Sequence, residues 1–224
     1  MIKLTNTKQV QYESSKISPH KITNCEELKF LQLNKITIDM YNQINDKRVI
    51  NECLVLKNEE YSQTFKKQKF KYIFAPNIKS MCEEMFSQNY ELLEVYAPNV
   101  LKMDWSAFYY CDNLQHVNFP LLGNISAHTF TRCDSLTVVN LPSLQKSLEM
   151  SFNMCLALKE FVAPNLLEMS TDCFGGYSNL ERFVAPKLRV VSGYLFRHCK
   201  KLAKINSQLV ISESDTFECE CGGG

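Results

Sequence analysis

Ten cysteines and four histidines are the side chains of this 224-residue chain whose chemistry could by itself define a function. Thiolates and imidazoles at short spacing bind zinc, and a thiol beside a base can act as a nucleophile. The spacing here opposes both. Cys111, Cys133 and Cys155 stand 22 residues apart, Cys199 falls on the same count, and no C-x-x-C pair occurs. His20, His116, His128 and His198 are scattered and lie at no ligand spacing from a cysteine pair. No metal site and no cofactor are expected. The one close pair is Cys219 and Cys221, before the tail Gly222–Gly224, where a soft metal could bind or two thiols could stay reactive. No G-x-S-x-G, H-E-x-x-H or paired-glycine fingerprint is present, and three of the seven glycines are that tail. Such a chain has little material for a phosphate-cradling loop or a catalytic triad. An enzyme is not expected.

The interval between the cysteines leads to the elements that position them. Pro76, Pro98, Pro120, Pro142, Pro164 and Pro186 keep the same 22-residue step, and so do Phe86, Phe108, Phe130, Phe152, Phe174 and Phe196. Around each proline the chain reads C-x-x-L-x-x-V-x-A-P-x-L-x-x-V-x-x-x-x-F-x-x, with the final phenylalanine three residues before the next cysteine. A period of this length is the mark of a solenoid, in which each coil buries its apolar face against its neighbours. The positions three and one before proline alternate with polar ones, the period of a strand. Proline holds its predecessor extended and cannot donate to a ladder, so it marks the corner where that strand ends. A second short extended piece carries the apolar residues two and five after proline. The segment around phenylalanine is expected to form one short helical turn. Stacked coils sit about 4.8 Å apart, which predicts a continuous buried spine of phenylalanine rings.

The runs LQHVNFPLLGNISAHTFTRC (114–133) and LTVVNLPSLQKSLEMSFNMC (136–155) resemble the BspA-like leucine-rich repeats. They share its L-x-x-V-x-x-P core, the apolar residue that follows, the phenylalanine and the x-x-C ending. The resemblance covers about residues 70–206. It departs in being one residue shorter between proline and phenylalanine. The usual glycine after the second apolar position is replaced by Cys82, Asp104, Ser126, Leu148, Ser170 and Ser192. The resemblance implies an α/β repeat solenoid: a leucine-rich-repeat arc of parallel short strands, without catalytic activity, that binds a partner. Members are often surface or adhesive proteins.

Composition agrees with a binding scaffold. Lys and Arg number 25 against 24 Asp and Glu, so no bulk charge draws nucleic acid or an anionic membrane. Residues 1–24 hold no apolar run of signal-peptide type, and no stretch of the chain is apolar enough to span a membrane. A cytoplasmic location is therefore expected, and the cysteines are read as buried reduced thiols filling small apolar spaces. Residues 1–69 read as an N-terminal cap with degenerate repeats, 70–206 as the solenoid, and 207–224 as a C-terminal cap and flexible tail. The lysine run Lys66, Lys67, Lys69 and Lys71 and the basic group Arg197, Lys200, Lys201 and Lys204 read as solvated faces.

The repeat frame also singles out candidate binding residues. Trp105 occupies a column filled elsewhere by Glu83, Ala127, Glu149, Thr171 and Gly193, and Tyr109 and Tyr110 stand in columns otherwise mostly polar. On a helical turn Trp105 and Tyr109 would share a face. Such residues are either a local aromatic cluster covering the next coil or an exposed hot spot. The outward strand positions give a second set, Tyr72, Phe74, Tyr96, Val162 and Val184, apolar at the two ends of the arc and polar between. They are either an ordinary strand surface or a docking face. The functional expectation is a protein-interaction module with an unidentified protein partner. A surface adhesin and a self-associating structural unit are the alternatives.

Overall fold

The computed structural model describes residues 22, 24–176, 179–191 and 193–207. Cys219, Cys221 and the glycine tail lie outside the described residues. The chain winds into a parallel β-solenoid of about seven turns. The strand that leads to each proline corner comes first: Tyr72–Phe74, Glu94–Tyr96, His116–Asn118, Val138–Asn140, Glu160–Val162 and Arg182–Ala185, with Lys204–Ser207 continuing the series without a proline. A two-residue strand follows each corner, from Ser80–Met81 through Val190–Val191, and these six form one unbroken parallel sheet. Register equals the repeat. Val95 pairs with Val117, Phe161 with Phe183, and Met103 with Ile125, so a column in the sequence is a row of neighbours in space.

The rings of Phe65, Phe86, Phe108, Phe130, Phe152, Phe174 and Phe196 stack in that order, with centroids 5.3 to 5.9 Å apart and planes within 22° of parallel. All seven are buried. Offset stacking at this separation is a favoured geometry for aromatic pairs. Phe65 extends the column by one coil even though its spacing breaks the 22-residue step.

The expected helical turn is not formed. Among the described residues the only α-helices are α1 (Cys25–Leu33) and α2 (Ile38–Gln43). The segment around each phenylalanine is instead a pair of consecutive tight turns. In the coil of Phe108 the N–H of Tyr109 donates to the Ser106 carbonyl, and the N–H of Cys111 to the Phe108 carbonyl. Ser106 and Tyr110 both take left-handed φ values, +56° and +58°. The same two columns are left-handed at His128 and Arg132 and at Met150 and Met154. A left-handed non-glycine residue costs roughly 1–2 kcal/mol. The offset comes from the next coil: Ser106, Phe108 and Tyr110 donate their N–H groups to Ala127, Thr129 and Thr131. An α-helical turn would direct these donors along its own axis and leave adjacent coils untied at this ridge.

The strand sheet is interrupted between His116–Asn118 and Val138–Asn140, which belong to separate ladders. The interruption falls at Phe119. This residue takes the position before proline that is alanine in four other coils, at Ala75, Ala97, Ala163 and Ala185. Its buried ring inserts near Phe108 and Phe130, at 5.9 and 6.3 Å. The extra volume stands where the strands of the other coils close together, while the two-residue strands on the far side stay paired.

The N-terminal end is closed by a hairpin. Arg48–Ile50 runs antiparallel to Cys53–Val55, which then pairs parallel with Tyr72–Phe74. Asn51 and Glu52 both have positive φ, the turn whose twist suits a two-residue hairpin. Helices α1 and α2 are capped by the side chains of Asn24 and Thr37, which accept from the N–H groups of Glu26 and Met40. Their apolar residues Phe30, Leu31 and Tyr41, with Ile36 from the link between them, form a second core with Cys53, Val55, Phe74 and Tyr96, on the outer face of the strand sheet.

Replacing Phe130 with alanine removes a ring with a stacked neighbour on each side. The expected loss is about 3–5 kcal/mol, read from denaturant unfolding, while a loss below roughly 1 kcal/mol would place the ring outside the load of the core.

Candidate functional site

The tight turns decide which side chains reach the surface of the ridge. Ser106, left-handed, reverses the chain so that Ala107 and Phe108 go inward and Trp105 stays outside with 49% of its surface exposed. The next left-handed residue, Tyr110, leaves Tyr109 and Tyr110 half-buried on the same ridge. Their rings meet edge to face at 4.5 Å. Burial and then the Tyr110 hydroxyl raise the pKa of Tyr109.

Trp105, Tyr109 and Tyr110 are thus brought together, though not through a helix face. The link is His128 of the next coil, with ring centroids 6.2 Å from Trp105 and 6.3 Å from Tyr109. Arg132 lies over the Tyr110 ring at 5.1 Å and 3.7 Å from the carboxylate of Asp134. Burial raises the pKa of Asp112, the charge of Asp134 adds to this, and Arg132 opposes both. His128 and Arg132 were not among the residues that the sequence singled out. The signal was present: Arg132 stands 22 residues after Tyr110, so the repeat itself makes them neighbours.

The strand face divides into two parts. Phe74 and Tyr96, expected at an open docking face, are buried beneath α1, with the Phe30 ring stacked on Phe74 at 5.6 Å and tilted against Tyr96 at 5.5 Å. Asn24 also reaches the Tyr96 hydroxyl at 3.4 Å. Tyr72 is half-buried at the edge of this second core. The aromatic end of the face was readable as apolar, but that its occupant is the chain's own N-terminal helix was not. Beyond α1 the face is open. Val138 is exposed, Val162 and Val184 are half-buried cross-strand neighbours, and two residues earlier on the same strands Arg182 makes an ion pair with Glu160. Of the lysine run, Lys66 pairs with Glu84 at 2.6 Å and Lys71 with Glu52 at 2.9 Å.

The cysteine column has a role the sequence did not show. Cys111, Cys133, Cys155 and Cys199 donate to the carbonyls of Phe86, Phe108, Phe130 and Phe174 in the preceding coil, at 3.1 to 3.4 Å. Asn89, in the same column, donates to Phe65 and Phe86 in the same way. The thiols are therefore donors as well as fillers, and the asparagine in their column was the clue. None of the eight described cysteines is assigned to a disulfide. Burial pushes the Cys155 thiol up to about 12 and that of Cys133 well above its ordinary value. Among the described residues no group of three or more His, Cys, Asp or Glu could hold a metal.

The model of the BspA-type leucine-rich repeat region matches residues 56–123 and 102–220, in six copies. These matches span well over half of the chain, which therefore belongs to that family. A leucine-rich cell surface protein from Faecalibacterium prausnitzii is 18% identical with a TM-score of 0.47, the match covering 69% of this chain and 50% of that one. This chain thus spans about half the length of that protein. A leucine-rich repeat protein of Treponema pallidum is 19% identical with a TM-score of 0.44, covering 67% and 77%. No curated protein matches. Among the described residues no helix is long and apolar enough to cross a membrane.

A buried thiol with a raised pKa stays protonated in the folded chain after its unfolded counterpart has ionised. Its contribution is complete below about pH 9 and is lost as pH rises toward 12. Each such thiol is expected to remove about 1.4 kcal/mol per pH unit over that window. Denaturant midpoints measured from pH 8 to 11 check this, and Cys111→Ala, Cys133→Ala and Cys155→Ala together should flatten the slope.

Proposed function

We propose that this chain is a non-enzymatic protein-interaction module that docks its partner on the aromatic ridge of Trp105, Tyr109 and Tyr110. The observation that supports this reading most is the half-exposed Trp105, held in a ring cluster with His128 on a backbone fixed by coil-to-coil hydrogen bonds. Tryptophan, tyrosine and arginine dominate interface energetics, and rigid presentation lowers the entropy lost on binding. The open strand face, with Val162 and Val184, is assigned a secondary contact, because their small apolar patch is flanked by the charged Glu160–Arg182 pair. Tyr72, Phe74 and Tyr96 hold the N-terminal helix instead. The thiols, none assigned to a disulfide, support residence in a reducing compartment, the cytoplasm, and fractionation of intact cells with surface proteolysis tests it.

Trp105→Ala is expected to leave stability within about 0.5 kcal/mol and to weaken partner capture by roughly 30-fold, the effect of losing an interface hot spot. Affinity capture with the wild-type and variant chains measures both. Undiminished capture by the variant, together with loss on Val162→Asp, would move the contact to the strand face.

A further inference from the structure

We infer that the ridge around Trp105 receives a basic segment of the partner protein, with a lysine or arginine side chain seated between the indole and the carboxylate of Glu149. This rests on the reading that the ridge is the docking surface, and it adds the chemistry of what docks there.

The register carries the argument. Glu84 donates its N–H to the Trp105 carbonyl, Ser106 to Ala127, and His128 to Glu149. One column therefore runs Glu83, Trp105, Ala127, Glu149 over four successive coils. Alanine between tryptophan and glutamate keeps the column short there, a notch between an aromatic and a carboxylate side chain, with the His128 ring beside the indole at 6.2 Å. Neighbouring coils are about 4.8 Å apart, so the two walls stand on the order of 10 Å apart at the backbone. A cation needs up to about 6 Å to a ring centroid and about 3 Å to a carboxylate oxygen. The two requirements together fill that span. Tryptophan is the aromatic side chain that holds a cation best.

The surrounding charge has the complementary sign. Glu83, Asp104 and Glu149 are exposed, and none has an ion-pair partner among the described residues. The cations nearby are mostly committed: Lys66 to Glu84, Arg132 to Asp134, and Lys146 to Glu168. Lys102, on the adjoining sheet of the same coil, is exposed and has no ion-pair partner. Three carboxylates against one ammonium leave an acidic rim around the indole, which would steer a basic segment and repel an acidic one.

The chain contains a single tryptophan, so its fluorescence reports on this notch alone. The full chain is titrated with a synthetic lysine-rich octapeptide and with the same peptide acetylated at every lysine. The expected result is a saturable change in Trp105 emission with the first peptide, at least tenfold weaker with the acetylated one, and weakened further by salt. Glu149→Gln should reduce the affinity several-fold and Glu149→Lys more than tenfold, with unchanged unfolding midpoints. Equal binding of both peptides, or a Glu149→Lys variant that binds the lysine peptide as wild type does, would overturn the inference. So would the absence of any emission change. None of these results touches the ridge reading, which fails separately if Trp105→Ala leaves partner capture intact.

Discussion

Each phenylalanine of the spine carries its own backbone into the interior, and those buried amide groups must be satisfied as strictly as the rings must be packed. The Phe108 N–H donates to Thr129 of the next coil, while its carbonyl accepts from Cys111 within the turn and from the Cys133 thiol. Ring, amide and thiol thus fix the same step between coils. A change in that step would unstack the rings and orphan the carbonyls together, and this coupling makes the 22-residue interval stringent. It also explains the conserved shape of the turns within the chain. The left-handed residues cost free energy locally, and the bonds they allow between coils offset it.

The same constraint produces the surface. A ridge of stacked turns is rigid, because four successive coils, those of Phe86, Phe108, Phe130 and Phe152, each tie three N–H groups to the next along this edge. Side chains in the outward columns therefore project from nearly fixed points. Most of these columns carry polar residues, but in one coil they carry Trp105, Tyr109 and Tyr110, with His128 and Arg132 closing the cluster from the following coil. The scaffold needs none of these rings for its spine. Membership of the BspA-type leucine-rich repeat family accounts for the coil, and not for this aromatic departure from it.

The strand side obeys a different balance. Its N-terminal coils turn apolar side chains outward, and α1 covers them with Phe30 and Leu31. Without that cover, Phe74 and Tyr96 would stand on an exposed sheet, the kind of surface that invites aggregation. Farther along, the strand ladder opens at Phe119, where a ring replaces the alanine found in four of the other coils. The ladder of two-residue strands bridges the opening and keeps the solenoid continuous.

The period alone was enough to determine the coil, the two extended pieces, the corner at each proline and the ring column, because each follows from one residue type recurring in one phase. It also determined the neighbours across coils, since register equals the repeat. Three things were decided only in three dimensions. The x-x-x-x-F-x-x segment could have closed as a helical turn, and the demand for hydrogen bonds to the next coil selected tight turns with left-handed residues such as Ser106 and His128. The aromatic end of the strand face could have been open, and the contact of Phe30 with residues more than 40 positions away closed it. The cysteines could have been fillers alone, and the position of each thiol against a carbonyl 25 residues earlier made them donors. In each case a local pattern allowed two outcomes, and a long-range contact that no window of the sequence contains chose between them.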